Sequence, residues 1–331
     1  AKRAEVLNIA TKGRQAVALL PDFGPERMSM RADDLRSLAD PTLDMARPVK
    51  GPFPLDEEAE TESQRAALQL CKIAGLLPAA LVFEATAGNP ADSAAASNPA
   101  ASNVKASNVK AGGALPILEI PVDVISGQAG AGGAGDMSLT EVGRARLPLA
   151  GAEDTRIVVF RPKPGGAEHL ALLIGEWSGR QPVLVRVHSA CLTGDILGSL
   201  KCDCGQQLDG AVKAISQAGG GVLLYLAQEG RGIGLVAKIK AYSLQDQGFD
   251  TMEANRRLGF EDDERLFQPA AAILGQLGIK TIRLLTNNPA KVAALSSLGI
   301  TVAEVVPHTF PANPHSENYL QTKKEKAGHR L

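Results

Sequence analysis

The rhythm of apolar positions changes near Met137 in this chain of 331 residues. Beyond that point short runs of branched aliphatics recur, predicting strands at Leu170 to Ile174, Val183 to Val187, Val222 to Leu226, Ile282 to Leu285 and Thr301 to Val305. Helices are predicted at Gln206 to Gln217, Ile233 to Gln245 and Pro289 to Ser297, the last with Asn288 as cap and Pro289 at its first position. Strands alternating with helices make an α/β sheet and leave open which strands run parallel. Before the linker the pattern gives one strand, Arg14 to Leu20, and one helix, Glu62 to Leu76, whose apolar side is Ala66, Leu68, Leu70, Ile73 and Ala74. From Thr86 to Gly113 small and polar residues replace the branched ones, and Ala-Ser-Asn-Val-Lys occurs twice, at Ala101 to Lys105 and Ala106 to Lys110. A glycine-rich stretch from Gly127 to Gly135 follows, after a short extended segment over Leu115 to Ile125. These shifts divide the chain into residues 1–85, a linker or insertion over 86–136, and a larger domain over 137–331.

A hydrophobic share of 44% is that of a chain with a packed core. No stretch approaches the roughly 20 apolar residues of a membrane span, and the first residues, Ala-Lys-Arg-Ala-Glu-Val, carry no export signal, so a cytoplasmic protein without membrane contacts is expected. A net charge of -1 gives no reason to expect a nucleic-acid partner, and it averages over any local basic pocket.

Cysteine spacing sharpens the picture. Cys191, Cys202 and Cys204 can close on one metal ion, and Lys201, Asp203, Gly205 and Gln206 give them a polar setting that suits thiolates. Three protein ligands mark a catalytic site with an open position, whereas His188, three residues before Cys191, would make a sealed structural site if it supplied a fourth. Only Cys71 remains, so no disulfide framework is implied. Gln228-Glu229-Gly230-Arg231-Gly232-Ile233-Gly234 follows a predicted strand and leads into a helix, a setting for phosphates or simply a turn. Asp263 and Arg265 stand two apart and share a face of extended backbone, flanking a ligand or belonging to a solvated acidic run. Tyr242 shares a helical face with Leu235 and Ile239, as a core tyrosine would. Thr286, Asn287 and Asn288 end a predicted strand, where α/β sheets place ligands, and Lys291 follows one turn into the next helix.

Between Ser138 and Leu331 the motifs Gly166-Ala-Glu-His169, Arg186-Val-His-Ser189, Cys191-Leu-Thr-Gly-Asp195 and Lys201-Cys-Asp-Cys-Gly-Gln206 occur in that order. Gln228-Glu-Gly-Arg231, Ala241-Tyr242, Leu258-Gly-Phe260, Asp263-Glu-Arg265, Leu284-Leu-Thr-Asn-Asn-Pro289 and Asn318-Tyr-Leu320 continue it. In this order the segments resemble GTP cyclohydrolase II, the enzyme that opens the imidazole ring of GTP at the first step of riboflavin biosynthesis. The resemblance implies an α/β fold with a mixed sheet and flanking helices, plus a smaller α/β N-terminal domain. It implies a homodimer and a hydrolase that releases formate and pyrophosphate and leaves a ring-opened diaminopyrimidine nucleotide.

By the same resemblance Cys191, Cys202 and Cys204 hold one zinc per subunit, which activates a water, and magnesium bridges the triphosphate. Three thiolates weaken the Lewis acidity of a dication, so a nearby cation or proton acceptor is expected to help. Asp263 matches the proton acceptor, Tyr242 a tyrosine needed for activity, and Arg265 a nucleophile toward the α-phosphate. A guanidinium keeps its proton, so charge stabilisation by Arg265 is the alternative. GTP binding falls on Arg186, Val187, His188, Ser189, Ala190, Gln207, Glu229, Gly230, Arg231, Thr251, Thr286 and Lys291. The chain departs from a familiar form of the motifs in having Ala190 for glutamate and Leu226-Ala227 for a His-Arg pair, which implies altered affinity. Ala67 to Val82, with Ala74-Gly-Leu-Leu-Pro-Ala-Ala-Leu81, resembles dihydroxybutanone phosphate synthase more faintly. That enzyme's acidic motif is missing from Asp22 to Met30, which implies a catalytically silent remnant. A different class of function, a nucleotide sensor with a structural zinc closed by His188, is the competing expectation.

Overall fold

Branched aliphatics from Leu139 onward build one seven-stranded sheet in the computed structural model, which describes residues 2–7, 9, 16–18, 32–48, 60–82, 105–107, 117–122, 124–125, 138–163, 166–177, 182–311 and 313–315. The sheet belongs to the second of two compact units, residues 136–331; the first is residues 1–135.

Described elements of the first unit are helices α1 (Lys2–Val6), α2 (Ala32–Ala39) and α3 (Glu62–Ile73) and the antiparallel strands β1 (Lys105–Ser107) and β2 (Ile117–Glu119). Helix α3 opens on a capping box, in which Gln64 N donates to Thr61 Oγ1 at 3.2 Å and Thr61 N to Gln64 Oε1 at 3.0 Å. It ends at Ile73 instead of Leu76, because Gly75 turns left-handed at φ 68°. Its expected apolar side is largely exposed, with Ala66 as its buried residue. The strand expected over Arg14 to Leu20 is absent from its described part, Ala16 to Ala18, where Ala16 N donates to Glu60 Oε1 instead of to a strand. The readings at Asp22 to Met30 and Asn318 to Leu320 lie outside the described residues.

The second unit contains β3 (Leu139–Arg146), β4 (Thr155–Pro162), β5 (His169–Gly175), β6 (Val183–Ser189), α4 (Cys204–Gln217), β7 (Gly220–Leu226) and α5 (Leu235–Asp246). It continues with α6 (Thr251–Arg257), α7 (Gln268–Gln276), β8 (Thr281–Leu285), α8 (Pro289–Ser297) and β9 (Thr301–Val306). The strand order is β3-β4-β5-β7-β6-β8-β9. Strands β3, β4, β5 and β7 pair antiparallel in succession, while the β7-β6, β6-β8 and β8-β9 pairs are parallel, so the fold is α/β with a mixed sheet.

Alternation along β7 shows how both faces are covered. Val222, Leu224 and Leu226 pack with Ala270, Ile273 and Leu274 of α7, whereas Leu223 packs with Ala211, Val212 and Ile215 of α4. A central strand buried on both faces reads as a continuous apolar run, and Gly-Gly-Val-Leu-Leu-Tyr-Leu does. The carboxyl ends of β6, β7 and β8 therefore lie side by side, and the loops that follow them open a crevice.

Candidate active site

Strand β6 carries Arg186, His188 and Ser189 to that crevice and ends just before Ala190 and Cys191. The next five residues, Leu192–Ile196, form a single wide π-helical turn, and after it Cys202 and Cys204 come in at the amino end of α4. The three sulfurs lie within 4.8 Å of one another, with Cys191 Sγ and Cys202 Sγ 3.7 Å apart. That separation lets Cys191 and Cys202 share a hydrogen bond. Hydrogen bonds from Cys202 and Cys204, with help from Lys238, hold Cys191 far below the usual thiol range, while the same contact pushes Cys202 up to about 11 and raises Cys204.

This donor set fits a soft divalent metal, and the backbone leaves room for it. A Cβ on Gly194 would meet Cys202 Sγ at 2.7 Å, Cys204 Cβ at 2.8 Å and Cys191 Sγ at 3.1 Å. His188 does not join the trio. Its Nε2 faces both carboxylate oxygens of Asp195 at 3.1 Å, its ring stacks on Tyr225, and its Nδ1 is buried without a hydrogen-bond partner. Asp195 also accepts from Cys191 N at 2.9 Å and from the Tyr225 hydroxyl at 3.0 Å. The competing alternative, in which His188 seals the metal site, is not what the structure has: an aspartate on the same turn has taken that imidazole.

A cleft with about 1100 Å³ of empty space runs along these groups. Its walls carry six cations, Arg186, Lys201, Arg231, Lys238, Arg265 and Lys291, against one carboxylate, Glu229. In a chain of net charge -1, such an excess concentrates positive potential at one place. Glycines shape the wall. Gly230 and Arg231 are both left-handed, at φ 62° and 61°, and a Cβ on Gly232 would meet the Glu264 carbonyl at 2.7 Å, so the turn can pass this close only with glycine there.

Residues 140–307 match the family model described as GTP cyclohydrolase II. A GTP cyclohydrolase-2 of Azospirillum brasilense is 47% identical over 99% of this chain and 79% of its own length. The chain belongs to the GTP cyclohydrolase II family. The GTP cyclohydrolase-2 of Cronobacter sakazakii is 53% identical over 59% of this chain and 98% of its own length. A solved two-domain 3,4-dihydroxy-2-butanone 4-phosphate synthase, RibBX from A. baumannii, aligns with 94% of this chain and 82% of its own at 17% identity and a TM-score of 0.33.

For this GTP cyclohydrolase II family member the expected site residues fall as follows. Arg186, His188, Ser189, Ala190, Gln207, Glu229, Gly230, Arg231, Tyr242, Thr251, Arg265, Thr286 and Lys291 line the cleft with the three cysteines. Val187 and Asp263 do not. Val187 is a core residue whose carbonyl accepts from Lys291 Nζ at 2.7 Å. Asp263 stands behind Arg265, which grips it through Nε at 2.8 Å and Nη2 at 2.5 Å. Burial acts to raise its carboxyl, but the Arg265 bond outweighs it and leaves the group below its usual range. Glu229 has its carboxylate committed to Leu192 N at 2.6 Å, Gly230 N at 2.8 Å and Lys238 Nζ at 2.8 Å, so the glycine turn's own acid takes one amide that phosphate was expected to take.

Of the two roles that the sequence left open for Tyr242, core or site, the structure favours the cleft. Leu235 is 37% and Ile239 49% exposed, and the Tyr242 hydroxyl reaches Thr193 Oγ1 at 3.2 Å. Leu226 has a structural account in its burial in the core, whereas Ala227 contributes only its backbone N, which donates to His169 Nδ1 at 3.1 Å. Sequence reasoning missed Lys238, Thr193 and Asp195. The signal available for Lys238 was its position one turn before Tyr242 on the same helix.

His308 supports the cleft from behind, donating to the Gln207 carbonyl at 2.7 Å with its ring against the edge of Phe310. Burial, followed by the positive charge of Arg186, pushes its pKa down from 6.5 to about 4. A depressed folded-state pKa means that this contribution is complete above 6.5 and is lost as pH falls toward 4. Chemical denaturation at about pH 7 and about pH 5 is therefore expected to show a stability drop that His308→Gln makes smaller. An identical drop in wild type and variant would rule this out.

Proposed function

We propose that the chain hydrolyses GTP, opening its imidazole ring with release of formate and pyrophosphate, as the first step of riboflavin biosynthesis. The observation that carries this reading is a metal-ready thiol trio in the same cleft as six cations and a single carboxylate. Family membership supplies the substrate.

Cys191, Cys202 and Cys204 would hold a zinc ion, which would supply Lewis-acid activation of water toward the purine ring. The other tasks belong to side chains. Arg231, Arg265 and Lys291 oppose the triphosphate charge, and magnesium, which the family implies, would neutralise part of it. Arg186 is fixed by the Leu285 carbonyl at 2.9 Å and Gln207 Oε1 at 2.5 Å. Tyr242 is set beside the thiols through Thr193. Asp263 is a weak base while Arg265 holds it. Its role as proton acceptor therefore begins when Arg265 turns to the phosphates, and this couples phosphate binding to proton transfer.

In this reading residues 137–331 form the catalytic domain, residues 86–136 a linker, and residues 1–85 a silent synthase-like remnant. Homodimerisation follows from the family. No described helix is long and apolar enough to cross a membrane, and a cytoplasmic location belongs to the same reading. Incubating the zinc-loaded chain with GTP and magnesium is expected to give formate, pyrophosphate and the ring-opened pyrimidine in equal amounts. Pyrophosphate without formate refutes the ring-opening assignment.

A further inference from the structure

Lys238 sits on the first turns of α5 with its side chain turned away from solvent, 9% exposed, and its Nζ reaches three acceptors. These are Cys191 Sγ at 3.1 Å, Thr193 Oγ1 at 2.9 Å and Glu229 Oε1 at 2.8 Å. We infer that Lys238 is a positioning residue of the metal centre, whose ammonium holds the Cys191 sulfur and offsets part of the negative charge that three thiolates and the neighbouring Glu229 leave around a dication.

The inference rests on the metal reading of the three cysteines. Charge counting gives the reason. Three thiolates and one dication sum to one excess negative charge, the Glu229 carboxylate on the same ammonium adds a second, and buried anions without a partner are costly. Among the described contacts of Cys191 Sγ outside the trio, Thr193 Oγ1 stands at 3.7 Å and Lys238 is nearer. Other cations of the cleft are engaged elsewhere: Lys201 with Asp246 at 2.6 Å, Arg265 with Asp263, Lys291 with the Val187 carbonyl. A hydrogen bond from an ammonium draws electron density off a thiolate, which leaves a bound metal the stronger Lewis acid. The same ammonium also ties the metal turn to the rest of the site. Thr193, which it holds, orients the Tyr242 hydroxyl, and Glu229, which it holds, accepts from Leu192 N.

The test compares the full-length wild type with Lys238→Met, Lys238→Gln and Lys238→Arg. Two measurements are read: zinc affinity by competition with a chromogenic chelator, and the sulfur-to-metal charge-transfer band after cobalt substitution. The neutral variants are expected to lose about 10- to 100-fold in zinc affinity and to shift the cobalt band, while the arginine variant stays within about threefold of wild type. Two neutral variants are used so that a folding failure in one leaves the other to decide. Neutral variants with wild-type affinity and an unshifted band overturn the assignment. So does an equal loss in the arginine and methionine variants, which would indicate packing and not charge. A wild-type chain that takes up no metal overturns the metal reading as well, a result distinct from either.

Discussion

Cys202→Ser is expected to lose stoichiometric zinc and to lower GTP ring opening by about three orders of magnitude or more. Serine keeps the volume but offers an alcohol that does not ionise near neutrality, so two sulfurs remain where three converge within 4.8 Å. Metal analysis and formate release measure the two effects on one sample. Cys71→Ser is the control, because Cys71 belongs to the other compact unit, where it reaches the Ala79 carbonyl. It should leave zinc content and turnover unchanged. Full activity in Cys202→Ser would remove the trio from the chemistry.

Gly194→Ala carries the second large effect. One methyl would lie 2.7 Å from Cys202 Sγ and 2.8 Å from Cys204 Cβ, closer than real contacts allow, and neighbouring backbone limits retreat because Gly205 already packs on the Gly194 carbonyl. The expected outcome is a metal affinity about 10- to 100-fold weaker, with turnover falling alongside and the fold intact by circular dichroism. Gly143→Ala supplies the comparison, since a Cβ there meets nothing within 4 Å. Equal metal affinity in both variants would mean that the turn around Gly194 adapts freely.

How much of this was legible in the sequence depended on how local each signal was. Apolar runs marked β6 and β7, which are buried nearly throughout, and β5 and β8, where buried and half-buried positions alternate. Strand β3 went unseen, for only Leu139 of Leu139–Arg146 is buried and the rest reads as a polar edge. Helix α6 has seven residues, too few to show a period, and starts where the Asp250 carboxylate caps Met252 N and Glu253 N. Helix α7 buries Pro269, Ala270, Ile273 and Leu274, leaving little polar contrast to mark a face.

The metal trio was readable because its ligands lie within 14 positions of sequence, from Cys191 to Cys204. Lys238 was not, because its meaning depends on α5 lying against the metal turn. The spacing of Leu235, Ile239 and Tyr242 gave a face correctly but could not say which way it points, and it points outward at its first two members. The pairing of Asp263 with Arg265 was visible as spacing, whereas its placement, arginine toward the cleft and aspartate behind, needed the surrounding fold.

Among the described residues, the cleft draws its walls from Arg186 onward, and none comes from β3, β4 or β5. The antiparallel half of the sheet is therefore a chassis, joined to the chemistry by core packing, by the β5–β7 backbone ladder and by side-chain ties such as His169 to Ala227. Replacing those three strands with others of equal volume and edge polarity would exchange three of the seven strands of the second unit's sheet without touching a residue that lines the cleft. An engineer seeking a fusion site, a split point or a stability reserve in this enzyme would look there first.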